Sequence, residues 1–483
     1  MNILLVKPHP ELLIAQRLQQ GFLHLEPLEL ETVAGGASPD DVISILDLGL
    51  EKDPLAAYLA RLQSKRHDIV GFTGYSSNAR LVREYLKLAK DHDPSVLTIV
   101  GGIHATMAPH DYACEQIDLV VRGEGATALR EILARLRNGE PPAFGNIALS
   151  PAAPDFLEKA ALPPPEYPAW EELPKPRRDL VQRDKYFCVW TGAGEKRIPT
   201  MFPRVASMRT SVGCAFNCSF CVVPHLISRK YIERTPEDVV AEIASITENH
   251  IYFVDDEMFL NAARVERIAR LLIARGIRKH YTSWARADTI VRHPELFKLW
   301  REAGLDTVYV GIESMTDAGL AGFNKKTSVQ TNRDAIAILK AAGIMLHASM
   351  IVNPDFTDAD FDALEKEVRA LCPAEITFTV LSPSPGTAFW HEKKNDFICD
   401  SYRFYDCMHT ILPTALPLKR FYSRFAKLTE IALRNNPLRR NRIRTPWHEI
   451  ARAIYRGTLY IFALHTIFRD YPQTLPASRK NEK

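Results

Sequence analysis

Two runs of alternating short apolar strands and amphipathic helices, separated by a stretch with ten prolines between Pro141 and Pro176, constrain this chain more than any other feature. In the first run, residues 2–7, 42–46, 68–74, 96–101 and 118–121 read as buried strands, with helices over 78–90 and 126–138 among the intervening segments. In the second, helices over 236–247, 262–275, 294–303, 329–342 and 358–371 alternate with strands over 251–254, 281–285, 307–312, 345–352 and 376–381. A strand before Cys214 completes six strand–helix units. Such alternation gives a parallel sheet with helices packed on its faces, so the fold class is α/β. At 483 residues the chain exceeds one ordinary domain. The expected organisation is a Rossmann-like ligand-binding domain over 1–140 and a proline-rich linker over 141–204, draped over a barrel-forming unit at 205–400. A mainly helical, basic region over 401–483 follows.

Ligands of such sheets bind beyond the carboxyl ends of the strands. Thr73 and Ser76 fall at the end of the third strand, Gly101, Gly102 and His104 at the fourth, and Gly123, Glu124 and Gly125 at the fifth. Glycine lets a backbone approach a bulky ligand, and hydroxyls can hydrogen-bond it. The second run opens on Cys214, Cys218 and Cys221, spaced C-x3-C-x2-C with Phe220 before the last cysteine. Three thiolates can hold three irons of a [4Fe-4S] cluster and leave the fourth iron open to another ligand. A disulfide with a spare thiol, a zinc knuckle completed by His225, or three buried thiols are the other readings. The spacing and the aromatic favour the cluster. Cys114, Cys188, Cys372, Cys399 and Cys407 are scattered, as in a reducing compartment.

A formal net charge of +3 makes no demand for a nucleic-acid partner. The opening residues lack a basic n-region and cleavage site and read as a buried strand. The apolar stretch 458–468 is too short to cross a bilayer, so the expectation is a cytoplasmic protein, soluble or peripheral on the inner membrane. Between Lys419 and Arg456, eleven Lys and Arg face two acids, Glu430 and Glu449, with aromatic residues interleaved. A basic amphipathic helix over 447–468 would suit contact with an anionic membrane; a solvated cap on the barrel is the alternative.

The cysteine motif resembles the signature of the radical S-adenosylmethionine (SAM) superfamily. The leading domain, with Gly101-Gly102-Ile103-His104-Ala105-Thr106 and the later Gly123-Glu124-Gly125, resembles the cobalamin-binding domain of B12-dependent radical SAM enzymes. The resemblance implies a partial (β/α)6 barrel, a [4Fe-4S] cluster on Cys214, Cys218 and Cys221, SAM on its open iron, and cobalamin, as methylcobalamin, in the leading domain. The D-x-H-x-x-G motif of B12 mutases is absent, which implies cobalt without a protein imidazole and leaves His104 to bond the turn or the corrin side chains. It further implies SAM contacts by Asp256 and Glu257 beside Asp255 after the second barrel strand, and by Glu313 after the fourth. Arg286 and Lys326 are the implied carboxylate partners. Helix capping is the alternative for each acid, and Val212 stands where the family more often has Arg.

Segments 25–30, 276–281, 353–356, 383–387, 400–406 and 412–418, with Phe421 and Tyr422, resemble the hopanoid C-3 methylase group of these proteins. This implies a C-methyltransferase acting on an unactivated carbon of a polycyclic lipid, C-3 of a hopanoid, with electrons from a flavodoxin or ferredoxin. A B12-dependent methylase or cyclase of a tetrapyrrole or peptide is the alternative that the same cofactors allow.

Overall fold

The computed structural model describes residues 1–191, 200–371, 375–435 and 445–472; Cys372 and the basic runs at 436–444 and beyond 472 lie outside them. The amino-terminal sheet runs in the order Val42–Asp47, Asn2–Lys7, Ile69–Thr73, Leu97–Gly101, Leu119–Val121, all parallel, with Ala148–Leu149 antiparallel at the far edge. The run Ile3-Leu4-Leu5-Val6 is apolar throughout because both its faces are covered. Leu4 and Val6 pack with Tyr58, Leu62, Val82 and Tyr85 of helices Pro54–Ser64 and Ala79–His92. Ile3 and Leu5 pack with Leu30, Leu129 and Ile132 of Leu28–Ala34 and Gly125–Arg137. The strand order reverses between Asn2–Lys7 and Ile69–Thr73, and doubly wound sheets open their ligand crevice at such a point.

The second sheet is a partial barrel of six parallel strands in chain order: Val205–Met208, His250–Phe253, His280–Ala285, Leu305–Glu313, Met345–Val352 and Glu375–Val380. Its outer core centres on Trp300, ringed by Phe253, Phe259 and Tyr281, with the indole N–H donating to Val265 O at 3.0 Å. The lumen is filled. Trp190 from the linker meets His347 at 4.5 Å between ring centres, and Tyr309 meets both His347 and Trp284. Burial pushes His347 down to about 3, so its ring is neutral. A packed lumen leaves chemistry to the carboxyl-terminal mouth.

The proline-rich stretch is more than a strap. Phe187–Cys188 pairs antiparallel with Leu23–His24, and Arg178, its side chain 12% exposed, lies where the amino-terminal domain, linker and barrel meet. Arg178 donates to Ser207 O at 2.7 Å and Glu242 Oε1 at 2.9 Å, pairs with Glu26, and stands 3.7 Å from Glu31. Glu26 also accepts from Ser207 N–H at 2.7 Å. At the carboxyl-terminal end, helix Leu418–Asn435 packs on Asp358–Leu371 and Glu375–Val380, and helix Trp447–Thr466 packs on Leu418–Asn435 and Leu13–Gly21. No helix among the described residues is long and apolar enough to cross a membrane.

Glu31 is fully buried, both its carboxyl oxygens lack a hydrogen bond, and burial, aided by the neighbouring Glu26, pushes it up to about 8. An acid whose folded value is raised from 4.5 binds its proton more tightly when folded, so stability present below the unfolded value is lost as pH rises through the folded one. Glu31→Gln should therefore match the parent near pH 4.5 and exceed it in thermal midpoint at pH 8.5. Equal pH profiles for the two would place Glu31 in water.

Candidate active site

Gly213 leads into the cysteine loop with φ +98°, and a Cβ there would collide with Ile227 and Lys230 O, so the turn requires glycine. Two acids after the second barrel strand hold the approach. Asp255, 2 % exposed, accepts from Thr210 N–H and from the Thr210 and Ser211 hydroxyls, and Asp256 accepts from Gly213 N–H at 2.8 Å. Downstream, Ser219 N–H donates to Phe323 O at 3.0 Å, Asn324 Nδ2 donates to Asn217 O at 2.7 Å, and Phe220 sits edge-on to Phe323. The aromatic before the last cysteine thus anchors the loop to the segment after the fourth strand.

Cys214, Cys218 and Cys221 are free thiols. Burial pushes Cys214 up to about 11 and Cys221 up to about 12, and the neighbouring sulfurs raise Cys221 further. Three thiolates in this loop therefore need a strong cationic partner, which iron supplies. Among the described residues no three His, Cys, Asp or Glu side chains are gathered to hold a single metal ion. A cubane spreads its thiolates over three irons.

Glu257 is 1 % exposed; Oε2 accepts from Arg286 N–H at 2.8 Å, while Oε1 is buried without a partner. Burial pushes its carboxyl up to about 7 and raises Asp256 as well. A cation arriving at this orphaned oxygen would relieve both. Arg286 is a strut: besides Glu257 it bonds Asp288 and Lys325 O, both at 2.8 Å, lies over the Phe216 ring at 3.6 Å, and reaches Cys218 Sγ at 3.8 Å. These bonds leave it little capacity as a carboxylate partner for SAM.

Glu313 ends the fourth strand at a bulge, where Gly311 pairs with Ser349 but Glu313 pairs with Met350. Its φ of +61° is costly for a non-glycine residue, and a buried ion pair with Lys325 Nζ at 2.8 Å holds it there. A side chain on Gly311 would collide with both members of that pair. Lys326 is exposed, whereas its neighbour Lys325 is buried and makes this ion pair.

In the amino-terminal domain, Thr73, Gly101, Gly102, Gly123, Glu124 and Gly125 line one cleft of about 200 Å³. Gly102 and Gly123 have φ of +96° and +75°, and a Cβ on either would strike Gly74 or Pro165. The Glu124 carboxylate is occupied as a helix cap, accepting from Ala126 and Thr127 N–H at 2.8 Å. Ser76 and His104 lie outside the cleft lining. His104 is fully buried, with Nδ1 3.0 Å from Ser76 Oγ, Nε2 3.1 Å from Asp111 Oδ2, and its ring edge-on to Tyr402 of the post-barrel segment.

Sequence reasoning missed Tyr167 and Arg209, which close the cleft on the barrel side. Burial opposes charge on Arg209, but Tyr167, Asp256, Asp255 and Glu29 outweigh it and raise its value. Arg209 follows the first barrel strand, so the strand-end rule could have found it; nothing around Tyr167 signals a site. The cleft and the cysteine loop abut, because helix Ile103–Met107 touches helix Val223–Leu226 just after Cys221. Gly386 of the post-barrel Pro-Ser-Pro-Gly-Thr loop closes on Met107 from the other side.

Residues 23–133 match the B12 binding domain, and residues 208–368 match the radical SAM superfamily. The chain is 31% identical over 431 residues to the hopanoid C-3 methylase of Methylococcus capsulatus, covering 88% of this chain and 79% of that one. It is 28% identical over 385 residues to the anaerobic magnesium-protoporphyrin IX monomethyl ester cyclase of Rubrivivax gelatinosus, covering 77% and 66%. The fold resembles that of the radical SAM methyltransferase TsrM from Kitasatospora setae, solved with cobalamin and a [4Fe-4S] cluster, at a TM-score of 0.65, 16% identity and coverage of 97% and 99%. Fold and site together define a radical SAM methyltransferase that uses a [4Fe-4S] cluster, SAM and cobalamin. The chain belongs to the B12-binding radical SAM proteins, in the group that contains the hopanoid C-3 methylase.

His104 is fully buried outside the cleft, with Nδ1 3.0 Å from Ser76 Oγ and Nε2 facing Asp111 at 3.1 Å, so cob(II)alamin bound to the chain should give an EPR spectrum without histidine coupling. Labelling histidine with 15N should leave the spectrum unchanged. A 15N-sensitive coupling that disappears in His104→Ala would contradict this geometry.

Proposed function

We propose that the protein methylates C-3 of a hopanoid. The observation that carries the substrate is the 31% identity to a hopanoid C-3 methylase over 88% of the chain, post-barrel segments included. In this reading Cys214, Cys218 and Cys221 hold the cluster, and the orphaned Glu257 Oε1, with Asp256, receives the SAM ammonium group. Glu313 and Lys325 complete the SAM side of the mouth, with Arg286 as the strut that fixes Glu257. Thr73, Gly101, Gly102, Gly123, Glu124 and Gly125 hold cobalamin, Tyr167 and Arg209 close over it, and Ser76 and His104 brace the turn. The cofactor-binding unit is assigned to 1–140 and the radical unit to 205–400, joined by 141–204 and followed by the helical region 401–483.

When bound, the cluster and SAM supply hydrogen abstraction, and cobalamin supplies the methyl group. The chain holds the substrate carbon between the barrel mouth and the amino-terminal cleft and keeps water out, since positioning supplies much of the rate in such chemistry. A flavodoxin or ferredoxin is the class of electron donor that fits. A lipid substrate is in keeping with a cytoplasmic protein peripheral to the inner membrane. The cyclase likeness, at 28% identity, supports a tetrapyrrole as the second candidate.

Expression in a hopanoid-making host that lacks this methylase should yield hopanoids heavier by one methyl, with the added carbon on ring A, by lipid mass spectrometry. The Cys214→Ala/Cys218→Ala/Cys221→Ala variant should lose its iron and the product together. Unchanged hopanoids despite cluster- and cobalamin-loaded protein would move the substrate to the tetrapyrrole class.

A further inference from the structure

Helix Trp447–Thr466 has two apolar faces, and among the described residues one of them is packed. Tyr460, Ala463 and Leu464 are buried, on the side packed against Leu13–Gly21 and Leu418–Asn435. On the other side Trp447, Ile454, Tyr455 and Phe462 are 79%, 61%, 65% and 62% exposed. With Ala451 and Thr458 between them, also exposed, these residues recur every three or four positions and form one stripe. Of the eleven large apolar side chains exposed among the described residues, four lie on this helix, and the rest are scattered. A contiguous apolar stripe in water marks a contact site.

The charge around the stripe selects the partner. From Arg434 to Arg456 the sequence has seven arginines and one acid, Glu449. That acid is turned inward, where it accepts from Thr200 Oγ1 and Met201 N–H at 2.7 Å. Arg452 and Arg456 lie over Phe202 at 4.8 and 5.2 Å, and Arg456 also donates to Gln20 O. The helix is therefore fixed to the body of the protein with its stripe outward. Seven arginines would repel the same seven on a second copy, whereas an anionic lipid surface complements both the charge and the stripe.

We propose that Trp447, Ile454, Tyr455 and Phe462 dock this helix in the plane of an anionic bilayer, which the arginine-rich composition of this stretch of the sequence favours. The partner rests on the membrane-lipid reading given above, but its test is separate. Full-length, cofactor-loaded protein is sedimented with phosphatidylcholine vesicles made with or without phosphatidylglycerol, at low and high salt. The parent should bind the anionic vesicles, and less at high salt, because screening weakens the headgroup attraction. Ile454→Glu/Tyr455→Glu/Phe462→Glu should lower the partition coefficient by about a hundredfold, while thermal midpoint, iron content, bound cobalamin and SAM cleavage in solution stay at parent values. Three outcomes overturn the proposal: no parent binding to anionic vesicles, equal binding by the variant, or a parent dimer that the variant converts to monomer. Hopanoid methylation in detergent tests the substrate separately, so either idea can fail alone.

Discussion

One largely enclosed guanidinium holds the architecture in register. Arg178 arrives from the proline-rich stretch and meets Glu26 and Glu31 of the amino-terminal domain on one side and Ser207 O and Glu242 of the barrel on the other. Removing it would leave carboxylates buried without their cation, at a cost of about 3–5 kcal/mol. Because three parts of the chain converge on this charge, the cleft and the cysteine loop are placed relative to one another by the same contact. The arrangement carries its own cost in Glu31, which no hydrogen bond satisfies.

At the strand ends, carboxylates divide into two kinds. Asp255 and Glu124 use their oxygens on nearby N–H and hydroxyl groups and shape the turns that carry the cysteines and the cleft. Glu257 keeps a buried oxygen unpaired, and Glu313 is held at positive φ by a bulge and a buried lysine. Unspent hydrogen-bonding capacity and stored backbone strain are costs that folding alone does not require. They set Glu257 and Glu313 apart from the acids that cap the turns.

Much of the fold was legible because buried parallel strands are apolar without interruption. Asn2–Lys7, Met345–Val352 and the helix Pro294–Ala303 fall at the expected bounds. The cysteine loop was legible because its spacing is local. Side-chain direction was not. Lys325 and Lys326 are neighbours, and only the backbone path, with φ +53° at Lys326, decides which ammonium enters the mouth. Ser76 and His104 share a strand-end level with the cleft glycines, yet they bond each other across 28 positions. Arg178 was hidden in a segment whose prolines mask any periodicity. On helix Trp447–Thr466 apolar residues occur on both faces, so hydropathy could not separate the stripe that packs from the one that faces water.

The central claim is that the amino-terminal cleft and the cysteine loop lie next to one another, joined by the contact of helices Ile103–Met107 and Val223–Leu226. Pulsed EPR on anaerobic protein carrying both cob(II)alamin and the reduced [4Fe-4S] cluster measures this most directly. The account predicts a dipolar interaction between the two spins that broadens the cobalt signal and speeds its relaxation, and that Arg178→Ala weakens. A cobalt signal identical with and without the reduced cluster would contradict it.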